Sequence, residues 1–447
     1  VSVALYVLGI LLVALGIGVS IALHELGHLV PAKAFGVRVT QYMIGFGPTV
    51  FSRRRGETEY GIKAIPLGGY IRMIGMYPPH KGDAPGTIRE DSTGFVQTMS
   101  AEAKEWEAAQ YDPSEQHRTF VALSVPKKLV VMLGGPTMNL LISAVLLGLL
   151  MSGFGLPAVT NQVSSVSQCV LPADAPEGTS CEGQPVAPAA AAGIRPDDVI
   201  LSVDGRETPT FEDVVEVVRG AGGRTVPVVV ERDGQRLTLE ATPIVDARPV
   251  IDADGEVVRE ADGSLRTEQA GFLGVSGTRD LVRRPVTEVP GAVWDSFTAT
   301  GKLVLGLPAR LVDVAQAAFG TEERDPNGPV GVVGVSRLAG EVVSAEQPGF
   351  DLRLKAFTLV SMLASLNMAL FVFNLVPLLP LDGGHVLGAL LEGARRMIAR
   401  LRGRSDPGPI DMSRMLPVTN VVALAFLVMT VLLVYADIVR PITLFGS

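Results

Sequence analysis

Residues 24–28 read His-Glu-Leu-Gly-His. Two imidazoles four residues apart lie on one face of an α-helix and can grip a single divalent ion. The carboxylate between them can take a proton from a water that the ion activates. Composition does not produce such a pattern by accident: with five histidines in 447 residues, about 0.003 matches are expected by chance. Zn2+ is the ion this donor set suits. A catalytic zinc takes three protein ligands and keeps a fourth position open, so one further side chain is required. His80, His117 and His385 are the remaining histidines, and any Asp or Glu could serve.

The surroundings of the motif narrow that choice. Residues 1–23 carry no charge, and ionisable groups at the end of such a run are costly and point to function. Asp382 closes a second uncharged run, 356–381. If both runs cross a bilayer in the same direction, His24 and Asp382 arrive at similar depth after 23 and about 25 apolar residues. Asp382 is therefore the expected third ligand. His385, three residues on, stays open as an alternative ligand or a supporting group. Pro377, Pro380, Gly383 and Gly384 should unwind the helix there, which membrane depth tolerates only where the backbone is buried in protein or lines a wet cavity.

Four uncharged stretches must position these groups: 1–23, 129–173, 356–381 and 415–436. Each holds roughly 20 apolar residues, enough to span the hydrocarbon, and the chain as a whole is 47% hydrophobic. The first lacks a basic leader and a small-residue cleavage site, and so reads as a retained span. Basic residues gather in 33–128 and 395–414, whereas 157–350 is strongly acidic. The positive-inside rule puts both basic loops in the cytoplasm, and the acidic segment and both termini outside. The net charge of −8 argues against a nucleic-acid partner. Cys169 and Cys181, close together on the oxidising side, are expected to form a disulfide.

The expected fold is a polytopic α-helical membrane protein of four spans, with a cytoplasmic membrane-associated β-region and an extracytoplasmic α/β domain. Residues 1–36 hold the first span and its motif. Residues 37–75 alternate β-branched and aromatic runs with Gly-rich turns, which predicts several strands joined by hairpins. An insertion of no assigned role covers 76–125, and the second span covers 126–156. A small α/β domain occupies 160–245, with a hairpin closed at Asp233-Gly234. Residues 246–355 read as an extracytoplasmic linker with an amphipathic segment at 291–320. The third span runs over 356–384, a basic cytoplasmic loop over 385–414, and the fourth span over 415–436.

With these motifs in place, the chain resembles the site-2 protease family of zinc intramembrane metalloproteases. The resemblance rests on HELGH in the first span, GGPTMN (134–139) in the second and NLVPLLPLDGG (374–384) in the third. A PDZ-like insert between the second and third spans is similar to the bacterial RseP-like group, here with one PDZ unit rather than two. AGIRPDDVILSVDG (192–205) resembles the permuted PDZ of bacterial proteases. The resemblance implies Zn2+ held by His24, His28 and Asp382, with Glu25 as general base and Asn374 holding or polarising the substrate backbone. It implies a supporting role for Asn139 beside the site. It also implies a β-region that clamps an extended substrate by strand addition, with Gly45, Gly47, Gly68, Gly69 and Asn139 as candidate substrate contacts. The implied substrates are single-span membrane proteins, such as anti-sigma factors, already trimmed outside, in a bacterial plasma membrane. The PDZ-like domain would take a peptide or processed ectodomain end and exclude bulky ectodomains.

Two other classes compete. A membrane scaffold with a structural zinc would need four protein ligands, and the sequence offers three good ones. An ion transporter would need polar residues at several depths and repeated halves; here they cluster at one depth and no repeat is visible.

Overall fold

The computed structural model describes residues 3–76, 90–92, 113–171, 179–250, 258, 260, 264–320, 324–326, 328–347, 350–410 and 416–444. Most of the 76–125 insertion, His80 included, and residues 251–257 of the expected linker lie outside them. The chain forms two compact units, one from 1–150 with 285–447 and the other from 151–284.

In the first unit, helices Val3–Ala34, Val125–Phe154, Leu352–Asn374 and Val418–Val439 are long and apolar enough to cross a membrane. We label α1 Val3–Ala34, with β1 Val39–Arg55, β2 Thr58–Ile74 and β3 Glu90–Ser92 following it, and α2 Val125–Gly148. Between apolar helices the hydrophobic effect offers little, so close packing by small residues takes its place. Gly27 on α1 and Gly134 on α2 bring their backbones together so tightly that a Cβ on either would collide with the other's carbonyl. Ser143 on α2 adds a buried hydrogen bond, donating to the Ala364 carbonyl at 2.9 Å.

The 37–75 region departs from a series of simple hairpins. Two 17-residue strands, β1 and β2, fold back on each other, so that Tyr42 faces both Ile71 and Tyr60 while Ile44 faces both Gly69 and Ile62. The register breaks around Gly45 and Gly47, at φ +92° and +81°, where only glycine is unstrained. The sheet is fastened to α1 by a core that includes Leu29, Val39, Ile71, Met73 and Met132. The Tyr42 hydroxyl also donates to the Ala22 carbonyl at 2.8 Å.

The third span is shorter than its uncharged run. Helix Leu352–Asn374 stops at Asn374; residues 375–381 turn; helix Asp382–Leu401 begins at once. The loop expected over 385–414 is therefore half helical. The reason lies in HVLGALLEGARRMIARL, rich in strong helix formers, with arginines spaced to share one face. The glycine pair does not unwind this helix but lets its first turn pack on the preceding turn. A Cβ on Gly383 would collide with the Val376 carbonyl, and one on Gly384 would lie 2.6 Å from the Leu379 nitrogen. Before it in the chain, helix Val289–Phe319 carries Pro308 inside without ending there. It is followed by helix Val332–Ser344, which packs on α1 where Gly9 and Gly340 meet Ala339 and Tyr6.

The second unit runs beyond the expected 160–245. Its strands are β4 Leu156–Val166, β5 Val199–Val203, β6 Arg206–Glu207, β7 Val226–Arg232, β8 Gln235–Ala241, β9 Ile244–Pro249, β10 Thr267–Phe272 and β11 Val275–Val282. Its helices are α3 Pro188–Ala192 and α4 Phe211–Gly220, the latter begun by a Thr210–Asp213 capping box. The main sheet runs β11-β4-β5-β7-β8, with β6 on β5; β9 and β10 form a separate pair. What reads as linker over 246–284 thus belongs to this unit, because its last strand pairs with its first. That pairing spans more than 100 residues and leaves no local signature. Ile200, Val203, Val214, Val218, Val228 and Val230 fill the core. Asp198, buried, is held by Arg232 at 2.7 and 2.8 Å and by the Arg195 N–H at 2.8 Å. Cys169 and Cys181 are joined, with Cα atoms 5.7 Å apart.

Candidate metal centre

With helices Val289–Phe319 and Val332–Ser344 as α5 and α6, Leu352–Asn374 becomes α7 and Asp382–Leu401 becomes α8. Two helices, α1 and α8, bring three side chains to one point. His24 and His28 project from one face of α1, a turn apart as their spacing requires. Asp382 enters from the first turn of α8. The Nε2 atoms of the two histidines are 3.3 Å apart, and the Asp382 oxygens lie 3.4 Å from each. His28 is wholly buried and Asp382 nearly so. Among the described residues these three form the group able to hold a metal ion, with ligand atoms all within 4.8 Å.

The proton positions decide what such a cluster can hold. The His28 Nδ1–H donates to the Val131 carbonyl on α2 at 2.8 Å. Asn139, also on α2, sets its amide 3.1 Å from His24 Nδ1. Its Oδ1 is buried with no hydrogen-bond partner when the amide nitrogen faces the ring. Turning the amide so that Oδ1 accepts the Nδ1–H satisfies both groups. Both imidazoles then keep their proton on Nδ1 and aim a bare Nε2 lone pair at a carboxylate. Such lone pairs repel unless a cation sits among them. Two ligands of one tetrahedral zinc, at bond lengths of roughly 2.0–2.1 Å, lie about 3.3 Å apart. The donor set and its spacing fit that ion. The carbonyl and amide on Nδ1 are the outer contacts that fix the tautomer of a metal-binding histidine.

The other expected residues fall at graded distances. Glu25 is buried beside His24, its Cγ 2.9 Å from where a Cβ on Gly69 would stand. Gly69 therefore lets the β-region close directly over the carboxylate. Gly68, at φ +114°, lies under the Phe46 ring, and Gly45 and Gly47 are further along the sheet. Asn374 is the last residue of α7, half-buried, at the start of the turn that delivers Asp382. His385 sits one turn into α8, half-buried. His117 pairs with the Ser114 carbonyl at the surface.

Several contributors escape sequence reasoning. The Val131 carbonyl is a backbone group and carries no residue signature. Gly135 touches His28 so closely that a Cβ would collide with its ring. The repeated glycine of GGPTMN was the available signal. Lys128 reads as half of a cytoplasmic basic pair, but it is buried against Glu392 of α8.

Comparison with known proteins shows the family to which the chain belongs. The model of Peptidase family M50 matches residues 12–405. The zinc metalloprotease Rip1 of Mycobacterium tuberculosis H37Rv is 34% identical over 451 residues, covering 99% of this chain and 100% of that protein. Rip1 of Mycolicibacterium smegmatis is 33% identical over 452 residues, at 98% and 99% coverage. The metalloprotease MmpA of Caulobacter vibrioides is 27% identical over 362 residues, at 78% and 77%.

Proposed function

The chain belongs to peptidase family M50 and is a membrane-embedded zinc metalloprotease, and from that premise we propose how its own residues cut. His24, His28 and Asp382 hold the zinc, leaving one position open. The observation that carries this is the convergence of their three donor groups at 3.3–3.4 Å, with both Nδ1 atoms engaged elsewhere. Zinc held there supplies Lewis acidity toward a scissile carbonyl. Glu25 takes the proton of the attacking water and returns it to the leaving amine. Asn374, at the end of α7, steadies the substrate backbone.

A helical peptide bond is shielded, so a spanning substrate must be extended before it is cut. The β-region supports this, since Gly69 brings a strand against Glu25. A peptide laid beside that sheet would be held by main-chain hydrogen bonds, with Gly45, Gly47 and Gly68 as proposed contacts, of which Gly47 is the exposed one. The basic loops support a centre near the cytoplasmic face with both termini outside. The substrates are single-span membrane proteins, anti-sigma factors among them, shortened outside beforehand.

The second unit is read as the PDZ-like module. Between α4 and residues 271–275 it has an apolar cavity of about 260 Å³, lined by Phe211, Val214, Val218, Leu273 and the side chains of Arg219 and Arg248. An apolar peptide end suits that lining, where Arg219 and Arg248 are already paired with Glu268 and Asp246. Its proposed role is to admit trimmed substrates and refuse intact ones.

The test is zinc content and cleavage of a spanning reporter in detergent, for wild type and Glu25→Gln. Zinc in both with cutting only by wild type supports the reading. A wild type that holds no zinc with His24, His28 and Asp382 intact refutes it.

A further inference from the structure

One stripe of α2 touches every element that carries the metal centre. Positions 128, 131, 135, 139 and 143 follow at steps of three and four residues and so share a helix face. From that face the Val131 carbonyl holds His28, Gly135 underlies its ring, and Asn139 meets His24. Ser143 ties α7 through Ala364. Lys128 reaches α8: its ammonium donates to both Glu392 oxygens, at 2.8 and 3.0 Å. Both side chains are 4% exposed, and Arg396 adds a contact to Glu392 at 3.0 Å.

We propose that the buried Lys128–Glu392 pair is a positioning device that sets the register of α8 on α2 and so places Asp382 against His24 and His28. This rests on the reading of those three residues as zinc ligands. The two histidines are indexed to α2 by direct contacts. Asp382 comes from a separate helix, whose first turn packs on the preceding turn through Gly383 and Gly384 and reaches the core around Val131 and Met132 through the apolar Val386, a contact that does not by itself fix register. Glu392 lies ten residues further along α8, about 15 Å. At that level Gly393 packs against Val125, with a Cβ position 3.2 Å away. A helix resting on a glycine contact can slide or roll, and an ion pair between two fixed points resists both. Stability alone is a poor reason for the pair, since buried ion pairs are often matched or bettered by apolar side chains of equal volume.

A second buried pair supplies the control. Arg324 donates to Asp437 at 2.8 Å, with side chains 5% and 1% exposed, and Asp437 also accepts from the Gly331 and Gly334 N–H groups. It fastens helix Leu416–Val439 to the start of α6, with no element in common with the ligands.

The experiment measures zinc affinity of the purified full chain by chelator competition, and the visible spectrum of the Co2+-substituted protein. The variants are Glu392→Gln, Lys128→Met, Lys128→Arg and Asp437→Asn. Glu392→Gln and Lys128→Met are expected to weaken zinc binding about tenfold or more and to alter the cobalt spectrum, while Lys128→Arg restores both. Asp437→Asn is expected to lower the unfolding temperature yet keep wild-type affinity and spectrum. Wild-type affinity in Glu392→Gln overturns the proposal, as does an equal loss in Asp437→Asn. Should Glu392→Gln fail to fold, the two Lys128 variants decide. A wild type without zinc, or His28→Ala that keeps it, would instead overturn the ligand reading.

Discussion

At the scale of single residues, the centre depends on contacts too close to absorb an added methyl group. Gly135→Ala would drive a Cβ into the His28 ring, and is expected to lower zinc affinity at least tenfold, measured by chelator competition. Gly69→Ala acts elsewhere: its Cβ falls 2.9 Å from the Glu25 Cγ. It should leave zinc in place while kcat drops about tenfold or more, because the carboxylate is pushed from its position. Zinc content and kcat measured on the same sample separate these two effects. Glu25→Gln is the limiting case, retaining zinc and losing about 10²–10⁴-fold in kcat.

At the scale of elements, one buried carboxylate makes the second unit sensitive to acid. In the second unit Asp198 joins the turn before β5 to the end of β7. Burial alone would raise its carboxyl pKa, but the hydrogen bonds from Arg232 and the Arg195 N–H, with their positive charges, hold it below the ordinary carboxylate range. A carboxylate depressed in the folded state adds stability above its unfolded value of about 3.9. That stability is lost as pH falls through the lower folded value. Protection factors over residues 195–203 and 226–232, with exchange corrected for its intrinsic pH dependence, should therefore hold from pH 7 to about pH 4 and fall below it. In Asp198→Asn the acid-induced step should vanish, with protection already lowered at pH 7.

At the scale of the molecule, zinc binds the folded state and so stabilises it. Removal by chelator should abolish cleavage and lower the unfolding temperature, and added zinc should restore both. At 100 times Kd the expected stabilisation is about 2.7 kcal/mol, readable by scanning fluorimetry of the detergent-solubilised chain. Deleting 151–284 tests the second unit's proposed role. A full-length substrate that wild type spares should then be cut, and continued sparing would refute a filter.

How much of this was legible in the chain divides along a physical line. His24, Glu25 and His28 are set by helical spacing within five residues, and the spans by uninterrupted apolar length; both are local properties. The β-strands of 39–74 and the helix-forming run of 385–401 were written locally too, although the basic residues of the latter suggested a loop. Asp382 stood at the edge of legibility: depth singled it out, but only packing brings it within 3.4 Å of residues more than 350 positions away. The Val131 carbonyl on His28, the burial of Lys128 on Glu392 and the pairing of β11 with β4 had no local trace. Each is a meeting of distant segments whose partner is chosen by how the helices and sheets pack, and periodicity along the chain cannot record which partner that will be.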